Sequence, residues 1–383
     1  MSTMDNPFDT EERAAFRASV RRFVETEIKP HADKWDEAHE CPRHIHEGLG
    51  ALGCYGFGIA QEYGGNGHDD AFMRAAAAEE LARCGATGIW AATIIRTTNT
   101  GPIAHLASEA LRRRVLPDVL AGKVVSCLCV TEPGGGSDVA NMVTIARREG
   151  DYFLLNGTKT FITGGVEGRY FVVAARTGGP GLSGISLFLV ERDFPGFARP
   201  PLQRKMGWWA SNTATLHFDD CPVPAANLMG ELDHGFLAVM QNFNYERLNL
   251  SAGALGMMKV CLDVSIEWAQ QRKTFGKPLI KHQVIRHKIA EMSARIDMVE
   301  SYLNQVCWLI NERAFPVEQV CKLKFSATKA LEYCASEAMQ ILGGAGFLRG
   351  NPVERIYREV KVFAIGGGSE EIMRDLSVRQ MGL

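Results

Sequence analysis

The sequence predicts an α+β protein with a helical N-terminal part, an all-β middle and a C-terminal part of long helices that suit a bundle. Two observations predict it. Apolar residues recur at helical spacing through the first and last parts of the chain, and short β-prone runs separated by turn residues fill the middle. Its length, 383 residues, exceeds what one compact core usually holds, so domains are expected, drawn at 1–123, 124–230 and 231–383.

Taken in order, Asp9-Thr10-Glu11-Glu12 reads as a helix start with acids in the first turn. Phe16, Val20, Phe23, Val24 and Ile28 follow at helical spacing, and Pro30 is expected to stop the run. Glu62 to Gly67 is a glycine-rich break, and Ala71 to Leu81 is rich in helix formers. From Val124 the texture changes. Strands are expected at Tyr152–Leu155, Tyr170–Ala174, Ile185–Val190 and Thr215–Phe218, with Asn156-Gly157 as a hairpin signal and Gly178 to Gly181 as a loop. After Pro224, long helices are expected from about Phe236 to Arg272, His282 to Glu312 and Val317 to Leu342.

Charge narrows the function. With 42 basic against 44 acidic residues and a formal net charge of −2, the chain lacks the basic excess of a nucleic-acid binder. An acidic ligand must be met by local basic residues. The ten cysteines form no Cys-x-x-Cys pair and no zinc spacing, so no metal site is expected. They read as buried, reduced thiols of a cytoplasmic protein. The polar, acidic start is unlike a signal peptide, and no apolar run of about 18 residues predicts a membrane span.

Five segments could carry chemistry, and each alone also fits a plain structural role. Val130-Thr131-Glu132-Pro133-Gly134-Gly135-Gly136-Ser137-Asp138 offers three glycines, which let a backbone approach a ligand closely, with hydroxyls at Thr131 and Ser137. It is neither a Walker loop nor a G-x-G-x-x-G. In Lys159 to Gly165, Phe161 could stack on a flat ring while Thr163 bonds its polar edge. Gln271 to Pro278 closes a helix with cations, which suits the helix dipole and could also hold phosphate. Tyr245-Glu246-Arg247 puts an acid in an otherwise apolar helix, where it is paired, exposed or functional. Ile365 to Glu371 and Leu342 to Phe347 are two glycine clusters that imply close backbone packing.

Together these segments resemble the acyl-CoA dehydrogenase family over nearly the whole chain. The T-E-P-G-x-G-S-D segment is one signature. Gln340 to Phe347, running on to Arg355-Ile356-Tyr357-Arg358, is the second. The Asn156 to Thr163 strand, Lys205-Met206-Gly207 and Arg272 to Lys277 stand in the expected order. The resemblance implies an N-terminal helical domain, a middle β-barrel-like domain and a C-terminal four-helix bundle, together with FAD and a homotetramer built as a dimer of dimers. It implies that Val130, Thr131 and Ser137 line the flavin, with Phe161 and Thr163 beside its ring. Arg272 and Phe275 would reach the FAD of a neighbouring subunit, with Gln340 and Gly344 near it. Ser369 and Glu371 would contact the FAD of their own subunit. Ser137, Asn244 and Arg247 would meet the acyl-CoA substrate, Arg247 through the CoA nucleotide or by orienting Glu246. Asn244 stands where several relatives have Asp, and Phe161 where many have Trp.

One departure is informative. Many members carry their catalytic glutamate in a Tyr-Glu-Gly-Thr loop. Here Gly366-Gly367-Gly368-Ser369 replaces it, and Gly367 occupies the glutamate's place. Either the chain is inactive, or its base has moved. A branch of the family that includes the isovaleryl and long-chain enzymes carries the base on a bundle helix just before an Arg, and Glu246-Arg247 matches that pattern.

The implied reaction is α,β-dehydrogenation of an acyl-CoA to the trans-2-enoyl-CoA. Glu246 would take the α-proton, flavin N5 the β-hydride, and an electron-transferring flavoprotein the electrons. Donors to the thioester oxygen would stabilise enolate-like charge, and Gly367 keeps the backbone N–H that serves in the family. Enoyl-CoA reductase, acyl-CoA oxidase and a non-catalytic FAD-binding assembly protein are the alternatives. The relocated base and triple glycine lean towards longer or branched acyl groups.

Overall fold

The computed structural model describes residues 7–312, 314 and 316–383. Six helices open the chain: α1 (Glu11–Phe23), α2 (Ala32–Glu37), α3 (Arg43–Ala51), α4 (Ala71–Ala82), α5 (Thr87–Leu106) and α6 (Glu109–Leu120). Strands follow as β1 (Ser126–Cys129), β2 (Ile145–Glu149), β3 (Tyr152–Thr163), β4 (Tyr170–Arg176), β5 (Ile185–Glu191), β6 (Phe197–Ala198), β7 (Thr213–Pro224) and β8 (Leu228–Met229). Then come α7 (Gly235–Gln271), a small hairpin of β9 (Lys273–Thr274) and β10 (Lys277–Pro278), α8 (Gln283–Asn311), α9 (Val317–Leu342), α10 (Pro352–Glu359), α11 (Lys361–Ile365) and α12 (Glu370–Gln380). This is the α+β order that the sequence predicts. No helix among the described residues is long and apolar enough to cross a membrane.

By contact the chain forms two compact units, neither continuous in sequence. One comprises 1–34, 70–90 and 247–383, the other 35–69 and 91–246. The boundary inside α7 falls between Glu246 and Arg247.

The first unit is helical. Thr10 caps α1, its Oγ1 accepting from Arg13 N at 3.2 Å, and Asp70 caps α4, accepting from Phe72 N at 2.8 Å. α1 packs on α4, and α9 packs on α8 and α12. Arg17 and Lys259 both hold the buried Glu79, and Lys259 also binds Glu300. Pro30 does not end the first helical run. The chain widens to a π turn over Val24–Ile28, tightens to 3-10 over Lys29–His31, and continues into α2. Proline lacks an N–H and crowds the carbonyl four residues back, so the chain changes its hydrogen-bond spacing here instead of breaking.

The second unit is organised around the sheet, ordered β6-β7-β3-β2-β4-β5-β8, with β1 parallel to β4. β2 and β4 share a single register pair, Ile145 with Arg176. Both arms place residues in one core: Phe153, Leu155, Leu216 and Phe218 from one, Phe171, Val173, Phe188 and Val190 from the other. Phe153 and Phe188 meet with ring centroids 4.9 Å apart. Each such buried side chain contributes about 1.5–3 kcal/mol.

The Asn156-Gly157 hairpin signal is wrong. β3 runs through it, and the β2–β3 turn is at Gly150-Asp151, between the paired Glu149 and Tyr152. Asn156-Gly157 is instead a bulge against β7, where register shifts between Leu155 and Gly157. Gly157 has φ 146°, and a Cβ there would stand 2.6 Å from Thr144 Oγ1. The glycine answers a close neighbour, not a chain reversal.

Candidate active site

In the sheet unit, the Thr131 to Asp138 loop is clamped onto β3. Lys159, fully buried, donates from Nζ to Val130 O at 3.0 Å and to Glu132 Oε1 at 2.8 Å. Glu132 also accepts from Val143 N at 2.6 Å and Thr144 N at 2.8 Å. Burial opposes both charges. For Glu132 the Lys159 ammonium and the surrounding donors outweigh it and hold the carboxyl below its usual range. For Lys159 burial prevails, and its pKa falls despite the carboxylate beside it. A second bond, Thr160 N to Thr131 O at 2.9 Å, fixes the loop's start. The structure therefore brings Val130 and Thr131 together with the strand that carries Phe161 and Thr163. Ser137 lies exposed at the loop's far end.

The loop leaves room for a ligand. None of Gly134, Gly135 and Gly136 has a positive φ, and a Cβ at Gly134 would meet no atom within 4 Å. Neither backbone strain nor internal crowding requires glycine there. What the absent side chains permit is close approach from outside the chain. Phe161 sits in a second bulge of β3 with φ 58°, and 65% of its surface is exposed. A left-handed aromatic residue is strained, and a bare ring recovers nothing from the core. Both features suit a flat aromatic ligand.

The same unit carries Asn244 and Glu246, both half-buried, in the first turns of α7. Tyr245 between them donates to Asp69 Oδ2 at 2.9 Å.

In the helical unit, the glycine loop before α12 is held by two buried cations. Arg247 donates from Nε to Gly367 O at 3.0 Å, and Lys324 from Nζ to Gly368 O at 2.7 Å. Gly367 and Gly368 have φ 66° and 99°, a region that favours glycine. With both carbonyls engaged, the N–H of Gly367 donates to no partner among the described residues. Ser369 caps α12, its Oγ accepting from Ile372 N at 3.4 Å. The N–H of Glu371 itself and the Ser369 hydroxyl hold the exposed Glu371 carboxyl below its usual range.

Arg272 directly follows α7 and is exposed. The next residues form the β9–β10 hairpin, whose turn, Phe275-Gly276, has φ 48° and 77°. Phe275 is 95% exposed. Gln340 and Gly344 are exposed at the end of α9, and a Cβ at Gly344 would meet nothing within 4 Å. No group of metal-ligating side chains occurs among the described residues.

Sequence reasoning quoted Lys159 and Glu132 within their segments without seeing their pairing, and it missed Lys324 altogether. A lysine inside the apolar stripe of α9, between Cys321 and Ala327, was the available signal for the latter.

A glycine loop clamped to a strand that carries an exposed aromatic residue suits an enzyme with a flat aromatic cofactor. The chain belongs to the acyl-CoA dehydrogenase family. The family models for the acyl-CoA dehydrogenase N-terminal, middle and C-terminal domains match residues 10–123, 127–221 and 233–382. It is 35% identical to acyl-CoA dehydrogenase AFT10-1 of Alternaria alternata, over 97% of this chain and 91% of that protein. A probable acyl-CoA dehydrogenase from Mycobacterium abscessus superposes with a TM-score of 0.94 at 41% identity, covering 97% of this chain and 99% of that one. A glutaryl-CoA dehydrogenase from Mycobacterium smegmatis in complex with FADH2 has a TM-score of 0.91 at 28% identity, covering 97% and 95%.

Proposed function

We propose that the protein converts a saturated acyl-CoA to its trans-2-enoyl-CoA with Glu246 as the base. The observation that carries this is the Arg247–Gly367 bond. The loop that lacks the usual carboxylate is held by the arginine that directly follows a carboxylate on α7. Bound FAD supplies the hydride acceptor.

The chain's own residues divide the remaining work. The α-proton of a thioester is a weak acid, so its removal needs both a placed base and a donor to the carbonyl oxygen. Glu246 takes the proton. Gly367 donates its N–H to the thioester oxygen, and Arg247 and Lys324 fix the loop by binding the two carbonyls that follow this N–H. Val130, Thr131, Ser137, Phe161 and Thr163 hold the flavin ring, and Ser369 and Glu371 its remaining polar groups. Asn244 and Ser137 meet the substrate.

Electrons leave to an electron-transferring flavoprotein. The working assembly is a homotetramer in which Arg272, Phe275, Gln340 and Gly344 serve a neighbour's FAD. An almost fully exposed, left-handed Phe275 supports a contact outside its own chain. Ten free cysteines, nine of them buried, suit a reducing cytoplasm.

The test is anaerobic flavin absorbance against straight and branched acyl-CoAs of graded length. Bleaching by one subset is expected. A yellow protein unmoved by every saturated ester, but reoxidised by enoyl-CoAs after reduction, would replace this reading with the reductase. Peroxide formed in air at the rate of substrate use would replace it with the oxidase.

A further inference from the structure

Asn242 precedes Glu246 by four residues on α7, so the two share one face of the helix, about 6 Å apart. Val239, on the same stripe, is buried and apolar. Asn242 is buried too, with 7% of its surface exposed, and its Nδ2 has no hydrogen-bond partner among the described residues. Asparagine is a poor residue for a helix interior, and a buried amide donor left unpaired is costly. A wall for a plain hydrocarbon chain would carry Val or Leu here.

Gly101 of α5 lies against the oxygen of this amide. A Cβ at Gly101 of α5 would stand 3.1 Å from Asn242 Oδ1. Gly101 has no positive φ, so its own backbone does not require glycine. Its missing side chain makes room for the carboxamide oxygen, and the nitrogen is the end left covered and unpaired among the described residues. Asn242, Gly101 and Glu246 all belong to the sheet unit.

We propose that Asn242 is a specificity-determining residue that donates a hydrogen bond to an oxygen on the acyl chain of the substrate. The oxygen, as a hydroxyl or ketone, lies roughly one helical turn from the carbon that loses its proton. This rests on the reading of Glu246 as the base. The preferred substrate is then an oxygenated acyl-CoA, and a plain chain of equal length leaves the amide unsatisfied.

The test uses FAD-loaded full-length protein and two variants, Asn242→Leu and Asn242→Asp. Dissociation constants are measured by calorimetry for octanoyl-CoA and its 6-, 7- and 8-hydroxy and 6-, 7- and 8-oxo derivatives. The wild type should bind at least one oxygenated ester about tenfold or more tightly than octanoyl-CoA. Asn242→Leu should abolish or invert that ratio, and Asn242→Asp should lose the tight binding as its donor is lost. Without ligand, Asn242→Leu should melt at or above the wild-type temperature, because an unpaired buried amide has been removed; a purely structural asparagine would lower it. Equal ratios in wild type and Asn242→Leu, or no oxygen preference in the wild type, would overturn the proposal. Flavin bleaching by the same esters tests the base separately. If Glu246→Gln bleaches like the wild type, the base is misassigned, while the binding ratios still decide Asn242.

Discussion

Arg247 donates from Nε to the carbonyl of Gly367 at 3.0 Å, across 120 residues of sequence. The bond gives the arginine a job that needs no CoA: it holds a loop peptide. Replacing Arg247 with Ala removes a charge-assisted hydrogen bond of about 1.5–3 kcal/mol. Turnover should fall roughly ten- to a hundredfold, by the same arithmetic. The dissociation constant for free CoA should change less than about threefold, within the scatter of a neutral contact. Loss of CoA affinity with normal turnover per bound substrate would assign Arg247 to the nucleotide instead.

The loop is also a measure of what the sequence could show. The expected limits of α7, α8 and α9 fall within one residue of those observed, because their apolar stripes face a core over many turns. The bonds of Arg247 and Lys324 to the loop were not legible, since nothing local marks a partner over forty residues away. Asn156-Gly157 misled because a bulge and a hairpin turn ask for the same residues, and only Thr144, brought close by folding, separates them. The β9–β10 hairpin was hidden for the opposite reason: its turn uses Phe275-Gly276, whereas such turns favour Asn or Asp before the glycine.

The Lys159–Glu132 pair predicts a strongly non-additive response. Lys159→Met leaves a buried carboxylate facing two backbone N–H groups without its cation, and should destabilise the protein by about 3–5 kcal/mol. Adding Glu132→Gln removes the stranded charge and should restore much of that loss. Denaturant unfolding of the four proteins checks it; additive single effects would show that the pair is not coupled. FAD content should track the loop, falling in the single variant and partly recovering in the double.

Glu79 sets a pH dependence of stability. Burial by itself would raise its carboxyl, but Arg17 and Lys259 more than offset this and hold it at about 2, against an unperturbed 4.5. A depressed carboxyl stabilises the fold above its unfolded value, and that contribution is lost as pH falls through the folded value. The helical unit should therefore lose on the order of 3 kcal/mol between about pH 5 and pH 2. Glu79→Gln should start less stable at pH 7 and show a shallower slope across that window. Equal slopes for variant and wild type would place the acid sensitivity elsewhere.

Glu246→Gln separates chemistry from binding. The amide keeps the shape of the carboxylate and its place four residues beyond Asn242, so FAD content and acyl-CoA affinity should stay within about threefold of wild type. It cannot accept the α-proton as a carboxylate does. Flavin bleaching under anaerobic conditions should slow by about 10³-fold or more, at the scale of general-base catalysis. Glu246→Asp keeps a carboxylate but withdraws it by one methylene, so it should retain more activity than the Gln variant and less than wild type. Near-normal bleaching in Glu246→Gln would move the base to another residue. A Gln variant that also releases FAD would show instead that the side chain is structural, and that distinction is read from the flavin spectrum before any substrate is added.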